Sequence, residues 1–167
     1  MDRDFLLIRR MKRGDEAAME NFVRLYYPLI LRYCQYHIGD SGYAEDLTQD
    51  TFERFFRALS GYEHRGKAAN FLYIIAGNLC KDFYRRNKEL AITEWNSLSG
   101  KNEIERVNDK LDMEAALHRL PEELKEVIIL HYFQGLKLRE IAEILNISLP
   151  LVKYRIKKAK EQLITYL

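Results

Sequence analysis

The hydrophobic positions of this chain step by threes and fours almost from end to end, the period of helices buried on one face. An opening helix is predicted from about Asp4 to Arg13, stopped at Gly14. Asp15 stands where a cap belongs, ahead of a long helix to about Ile38 with the stripe Met19, Phe22, Val23, Tyr26, Ile30 and Tyr33. Pro28 inside that stripe predicts a kink or an interruption, because proline removes a backbone hydrogen bond and crowds the preceding turn. A third helix opens at Ser41 or Gly42 and runs to about Leu59. It buries Ala44, Leu47, Thr51, Phe52, Phe55 and Leu59 and turns Glu45, Asp46, Gln49, Asp50 and Glu53 the other way. After a loop over 60–66, a helix from about Lys67 to Lys88 buries Ala68, Phe71, Leu72, Ile75, Leu79 and Phe83.

Periodicity weakens from Glu89 to Asp109, where Asn96, Ser97, Ser99, Gly100, Lys101 and Asn102 read as a flexible polar linker. Helices resume over Leu111–Leu120 and again after Pro121, a residue suited to the first helical position. Gly135 ends that second piece. A short amphipathic helix, Leu138 to Leu145, then meets the turn Asn146-Ile147-Ser148 and a final helix from Leu149 to Ile164. The expected fold is all-α, with no strands: two small helical domains, 1–88 and 112–167, joined by a flexible linker over 89–111. The C-terminal domain reads as a helix-turn-helix, whose second helix normally enters the DNA major groove.

Among the 167 residues, 47% are hydrophobic, enough for a core, and the net charge of +2 says little about partners. Two cysteines, Cys34 and Cys80, without paired spacing, indicate neither a disulfide framework nor a structural zinc site. Cys34 with His37 is the nearest thing to a ligand pair, and a buried small cysteine is the better account. Phe5-Leu6-Leu7-Ile8 and Val127 to Leu130 are too short for a signal core or a membrane span, so a soluble cytoplasmic protein with no membrane contact of its own is expected.

Three constellations could carry function. The final helix holds Lys153, Arg155, Lys157, Lys158 and Lys160 with no acid among them. Ser148 can cap it, Pro150 falls in its tolerant first turn, and Lys153, Tyr154, Lys157 and Lys158 should face away from a core of Ile141, Ala142, Leu145, Ile147, Val152, Ile156, Ala159 and Leu163. On the fourth helix, Tyr73, Gly77, Lys81, Tyr84 and Lys88 share a face flanked by Asn78 and Arg85. Aromatics among cations suit single-stranded nucleic acid, which offers bases to stack and phosphates to neutralise; tyrosines at this spacing are more often half-buried core. The acidic face Glu45, Asp46, Asp50 and Glu53 is a solvated surface, a docking site for a basic partner, or a carboxylate metal cluster without histidine support.

In this order and spacing, the three stretches resemble a bacterial sigma factor of the extracytoplasmic-function group of the sigma-70 family. The resemblance covers nearly the whole chain. Ala44-Glu45-Asp46-Leu47-Thr48-Gln49-Asp50-Thr51-Phe52 is similar to the helix that docks on the polymerase β′ clamp, and Phe71-Leu72-Tyr73-Ile74-Ile75-Ala76-Gly77-Asn78 to the promoter-melting helix. Leu120-Pro121 and Glu140-Ile141-Ala142 through Val152-Lys153 are similar to the domain that reads the minus-thirty-five element. The resemblance implies that Asp46, Gln49, Asp50 and Glu53 bind core RNA polymerase. It implies that Tyr62, His64, Arg65, Lys67, Asn78 and Lys81, with Tyr73, Tyr84 and Arg85, bind the unpaired minus-ten strand. Leu151, Lys153, Tyr154, Lys157 and Lys158 would bind minus-thirty-five duplex. It also implies an anti-sigma factor as regulator, no catalytic activity, and no cofactor or metal. The chain departs from the family where Phe71 replaces a usual Trp, Ile74 an Arg, Ala68 a Phe and Pro150-Leu151 a Gly-Thr; the loop glycine normally lies nearer His64. A stand-alone helix-turn-helix regulator is the alternative, and it leaves the acidic face without a role.

Overall fold

A computed structural model describes residues 3–64, 67–98 and 109–167, without the side chains of 41, 88–98 and 109–112. Every regular element among them is helical: α1 (Arg3–Lys12), α2 (Glu16–Ile38), α3 (Ser41–Ala58) with a 3-10 turn (Leu59–Gly61), α4 (Ala68–Leu98), α5 (Asp109–Arg119), α6 (Glu122–Ile128) with a π-helical turn (Ile129–Phe133), α7 (Leu138–Leu145) and α8 (Leu149–Tyr166). No described helix is long and apolar enough to cross a membrane.

Local chemistry sets most of these ends. Asp15 accepts the Ala18 N–H to start α2, and Gly39 closes that helix at a φ of 80°, which costs glycine nothing. As expected, α3 opens at Ser41, and Asp40 caps it by accepting from the Tyr43 N–H at 3.1 Å. Pro28 does not interrupt α2. It is exposed, as is Arg24 four residues earlier, so the carbonyl that loses its intrahelical partner lies where water can reach it. The fourth helix outruns its predicted end near Lys88 and continues to Leu98. Residues 89–98, assigned to the linker by their weak periodicity, contain neither glycine nor proline to stop it. Residues 99–108 of that linker expectation lie outside the described residues.

The stripes of α2, α3 and α4 converge on Phe22, Phe55 and Leu72, all fully buried, with the Phe22 and Phe55 rings stacked at 4.8 Å. This core continues without a break into the C-terminal half through Val127, Ile129, Leu130, Ile141 and Ile144. The halves are therefore packed against each other. Tyr36 of α2 lies 4.4 Å from Phe133 of the π turn, Tyr73 donates to Gln134 Oε1 at 2.8 Å, and Lys67 reaches Glu140 at 3.3 Å.

At the centre of that contact is a buried carboxylate. Glu126 accepts from the Tyr33 hydroxyl and lies 2.8 Å from His37 Nε2. A Cβ on Gly77 would come within 3.0 Å of the Tyr33 hydroxyl, so the close approach depends on glycine there. Lys125, 2% exposed, reaches Glu122 at 3.0 Å, the Tyr84 hydroxyl at 2.7 Å and the His37 carbonyl at 3.3 Å. Burial raises the Glu126 pKa, but the charge and hydrogen bond of His37 and the bond from Tyr33, with Lys81 adding, outweigh it. They hold the carboxyl below the usual carboxylate range.

A depressed pKa means that the packed state favours the ionised carboxyl, so its contribution is present above the ordinary glutamate value of about 4.3 and is lost as pH falls through the packed-state value. Acidification below pH ~4 should enlarge the molecule in small-angle scattering before helicity is lost. Glu126→Ala should do the same at neutral pH, since a buried pair stripped of one partner costs roughly 3–5 kcal/mol. An unchanged scattering profile for that variant would show that the contact does not depend on the carboxylate.

Candidate nucleic-acid and protein interfaces

The C-terminal interface is built on a tight turn. Asn146 takes a left-handed conformation (φ 53°), one of the few side chains that tolerates it, and ends α7. Ser148 then accepts the Leu151 N–H at 3.3 Å, and Pro150 occupies the first turn of α8, where it sacrifices no helical bond. Ile141, Val152, Ile156, Ala159 and Leu163 are buried as predicted, while Ala142, Leu145 and Ile147 are only partly so. Ile144 is buried too, on the side of α7 turned toward Phe71 and Ile74 of α4. Lys153, Tyr154, Lys157 and Lys158 are exposed together, and Leu151 is half-buried. Arg155, by contrast, leans back to within 3.8 Å of Glu123, and the Lys160 ammonium sits 5.2 Å from the centre of the Tyr132 ring.

The acidic face is cleanly separated from its core. Thr48 and Thr51 are buried in α3 because each hydroxyl donates to the carbonyl four residues back at 2.7 Å, which satisfies it without a tertiary partner. Asp46, Gln49, Asp50 and Glu53 all face solvent, with Glu53 held 2.5 Å from Arg57. Among the described residues, no group of three or more His, Cys, Asp or Glu could hold a metal ion. Cys34 is buried, and its proposed companion His37 is turned to Glu126.

On α4 the expected aromatic–cation face divides. Tyr73 and Gly77 are buried beneath the C-terminal half, and the Tyr84 hydroxyl donates to the His37 carbonyl at 2.5 Å. Burial raises the Tyr73 phenol above its ordinary pKa. The exposed line is instead Ile74, Asn78, Lys81 and Arg85, at steps of four, three and four, with Arg85 2.8 Å from Asp82. Lys81 and Arg85 rim a cleft of about 850 Å³ between α4 and the start of α6, with Ile38, Phe83, Leu120 and Pro121 as its apolar wall. His118 also lines it, its pKa lowered by burial and by Lys125.

Tyr62 opens the loop before α4. Its ring packs 5.0 Å from Phe71 and 5.6 Å from Phe55, and its hydroxyl is 3.2 Å from His64 Nδ1. Lys67 is exposed at the far end; Arg65 lies outside the described residues. Sequence reasoning placed Tyr33 in the α2 stripe and named His37 beside Cys34, but missed their pairing with Glu126 and the burial of Lys125 and Glu126. The only signal was the position of Lys125-Glu126 directly ahead of the apolar run Val127 to Leu130, which places charge at the edge of a core.

Residues 22–89 match the family model for sigma-70 region 2, and residues 110–163 that for sigma-70 region 4. The chain is 30% identical to the ECF RNA polymerase sigma factor SigW of Bacillus subtilis, over 93% of this chain and 92% of that one. It is also 30% identical to the RNA polymerase sigma factor YlaC of the same organism, over 92% of both. Its fold matches CnrH, solved in complex with the cytosolic domain of CnrY, with a TM-score of 0.77 at 22% identity over 98% of this chain and 96% of that one. It matches the sigma factor RpoE of Bartonella quintana, solved with the anti-sigma factor NepR, with a TM-score of 0.67 at 22% identity over 88% and 94%.

Proposed function

We propose a division of labour along this chain, which belongs to the extracytoplasmic-function RNA polymerase sigma factors of the sigma-70 family. The reading is of a non-catalytic initiation factor that binds core polymerase, selects promoters and helps to melt them. The observation that carries it is the exposed basic start of α8, on the second helix of a capped helix-turn-helix. Lys153, Tyr154, Lys157 and Lys158, with Leu151, would read the minus-thirty-five duplex. Lysine reaches guanine edges and phosphates, and each good base contact is worth about 1–3 kcal/mol of discrimination.

The α3 face of Asp46, Gln49, Asp50 and Glu53 would meet a basic surface of the β′ clamp. Opposite charges there steer the encounter more than they add affinity. This assignment gives the acidic face a partner, which a stand-alone regulator does not. The unpaired minus-ten strand would lie along Asn78, Lys81 and Arg85 and over the loop of Tyr62, His64, Arg65 and Lys67. Tyr73 and Tyr84 can join it only if the C-terminal half moves off α4; the first three need no such movement. A base lifted from its stack costs a few kcal/mol, and the loop must offset that cost. An anti-sigma regulator is part of the proposal, on the ground that the sigma factor RpoE, of similar fold, was solved with the anti-sigma factor NepR.

Transcription in vitro tests the reading: core polymerase on fragmented genomic DNA should start at new, discrete sites only when this protein is added. Asp50→Lys should weaken binding to core polymerase about tenfold or more without a change in helicity, a loss of at least ~1.4 kcal/mol. Unchanged affinity would remove α3 from the clamp contact. Lys153→Ala should lower transcription more at matched than at scrambled minus-thirty-five sequence; equal losses would mean that Lys153 touches only phosphate.

A further inference from the structure

The first helix has so far had no role beyond packing, and it lies outside the region 2 match that begins at residue 22. Leu7, Ile8 and Met11 bury it against α2 and its neighbours. Two of its polar side chains reach the loop before α4, one at each end. The Lys12 ammonium donates to the Tyr62 carbonyl at 2.5 Å, fifty residues away in sequence. Asp4, only 5% exposed, accepts the Ala68 N–H through Oδ2 at 3.2 Å and the Tyr26 hydroxyl through Oδ1. Ala68 is the first residue of α4, whose leading N–H groups have no partner within the helix. A carboxylate from another helix therefore fixes where α4 begins, with the favourable sign for a helix N-terminus.

We propose that α1 is a bracket for the strand-binding loop, with Asp4 and Lys12 as positioning residues that set minus-ten discrimination without touching a base. The inference rests on the assignment of that loop to the minus-ten strand. Tyr62 is held at its carbonyl by Lys12 and at its ring by Phe55 and Phe71, and α4 begins at Ala68 under Asp4. A loop pinned at both ends presents its side chains in few arrangements, and discrimination between bases follows from that restriction. A loop released at either end could still cover phosphates but would fit several bases alike.

The test uses holoenzyme assembled with the full chain, transcribing a promoter library in which every minus-ten base is varied. Asp4→Ala should compress the ratio between best and average sequences about tenfold, the effect of losing one good base contact. Polymerase affinity and minus-thirty-five discrimination should be unchanged. Asp4→Asn, whose carbonyl can still accept the Ala68 N–H, should restore most of the ratio. Lys12→Met should flatten the same positions with the salt dependence intact. Three results overturn the bracket alone: a full ratio in Asp4→Ala, a parallel fall in polymerase affinity and minus-thirty-five discrimination, or a sequence-independent loss with a shallower salt slope in Lys12→Met. A wild-type protein indifferent to every minus-ten base would instead remove the strand assignment, and the bracket with it.

Discussion

A single carboxylate holds the two halves of this molecule in register. Glu126 is buried against α2 and α4, where water cannot serve it, and must find its partners in protein. Tyr33 and His37 supply them, and Gly77 leaves the space for Tyr33 to do so. Beside it, Lys125 is sunk nearly as deep, engaged with Tyr84 and Glu122. Such buried polar contacts add little net stability over an apolar equivalent, but they penalise any other register of the two halves. The surrounding apolar surface provides the attraction; the carboxylate decides which way α6 and α4 face.

That decision governs which surfaces are offered. The acidic side of α3 and the basic start of α8 both lie outside the contact and face water. The face of α4 is shared: its Tyr73–Gly77 side is covered, while Asn78, Lys81 and Arg85 stay accessible. The packed arrangement therefore leaves the α3 and α8 surfaces open to solvent and covers part of the α4 face.

Much of this was legible in the sequence, for particular reasons. The α3 stripe was predicted apart from Thr48, because a three- and four-step pattern with charges opposite admits only one buried side. The helix-turn-helix was legible because the αL-tolerant Asn146, the cap at Ser148 and the early proline at 150 agree on one geometry. At Pro28 an interruption did not follow, since its cost depends on whether the abandoned carbonyl is wet, and that is a tertiary fact. The face of α4 was read one step off, because tyrosine fits core and groove alike and periodicity cannot say which neighbour will cover it. The buried roles of Lys125 and Glu126 had little more than their place beside an apolar run to signal them, because Tyr33, His37 and Tyr84 lie far away along the chain.

That separation carries a cost in time. Tyr33 and Glu126 are 93 residues apart. At a synthesis rate of about 5–20 residues per second, Tyr33 waits roughly 5–20 s for its acceptor to be made, and longer for it to clear the ribosome. In the later part of that interval, once α4 has been made, α2 and α4 display an apolar and aromatic surface with its polar groups wet rather than paired. Each newly made copy thus passes through a stage when its inner face is open to whatever else is nearby, before its own C-terminal half arrives to claim it.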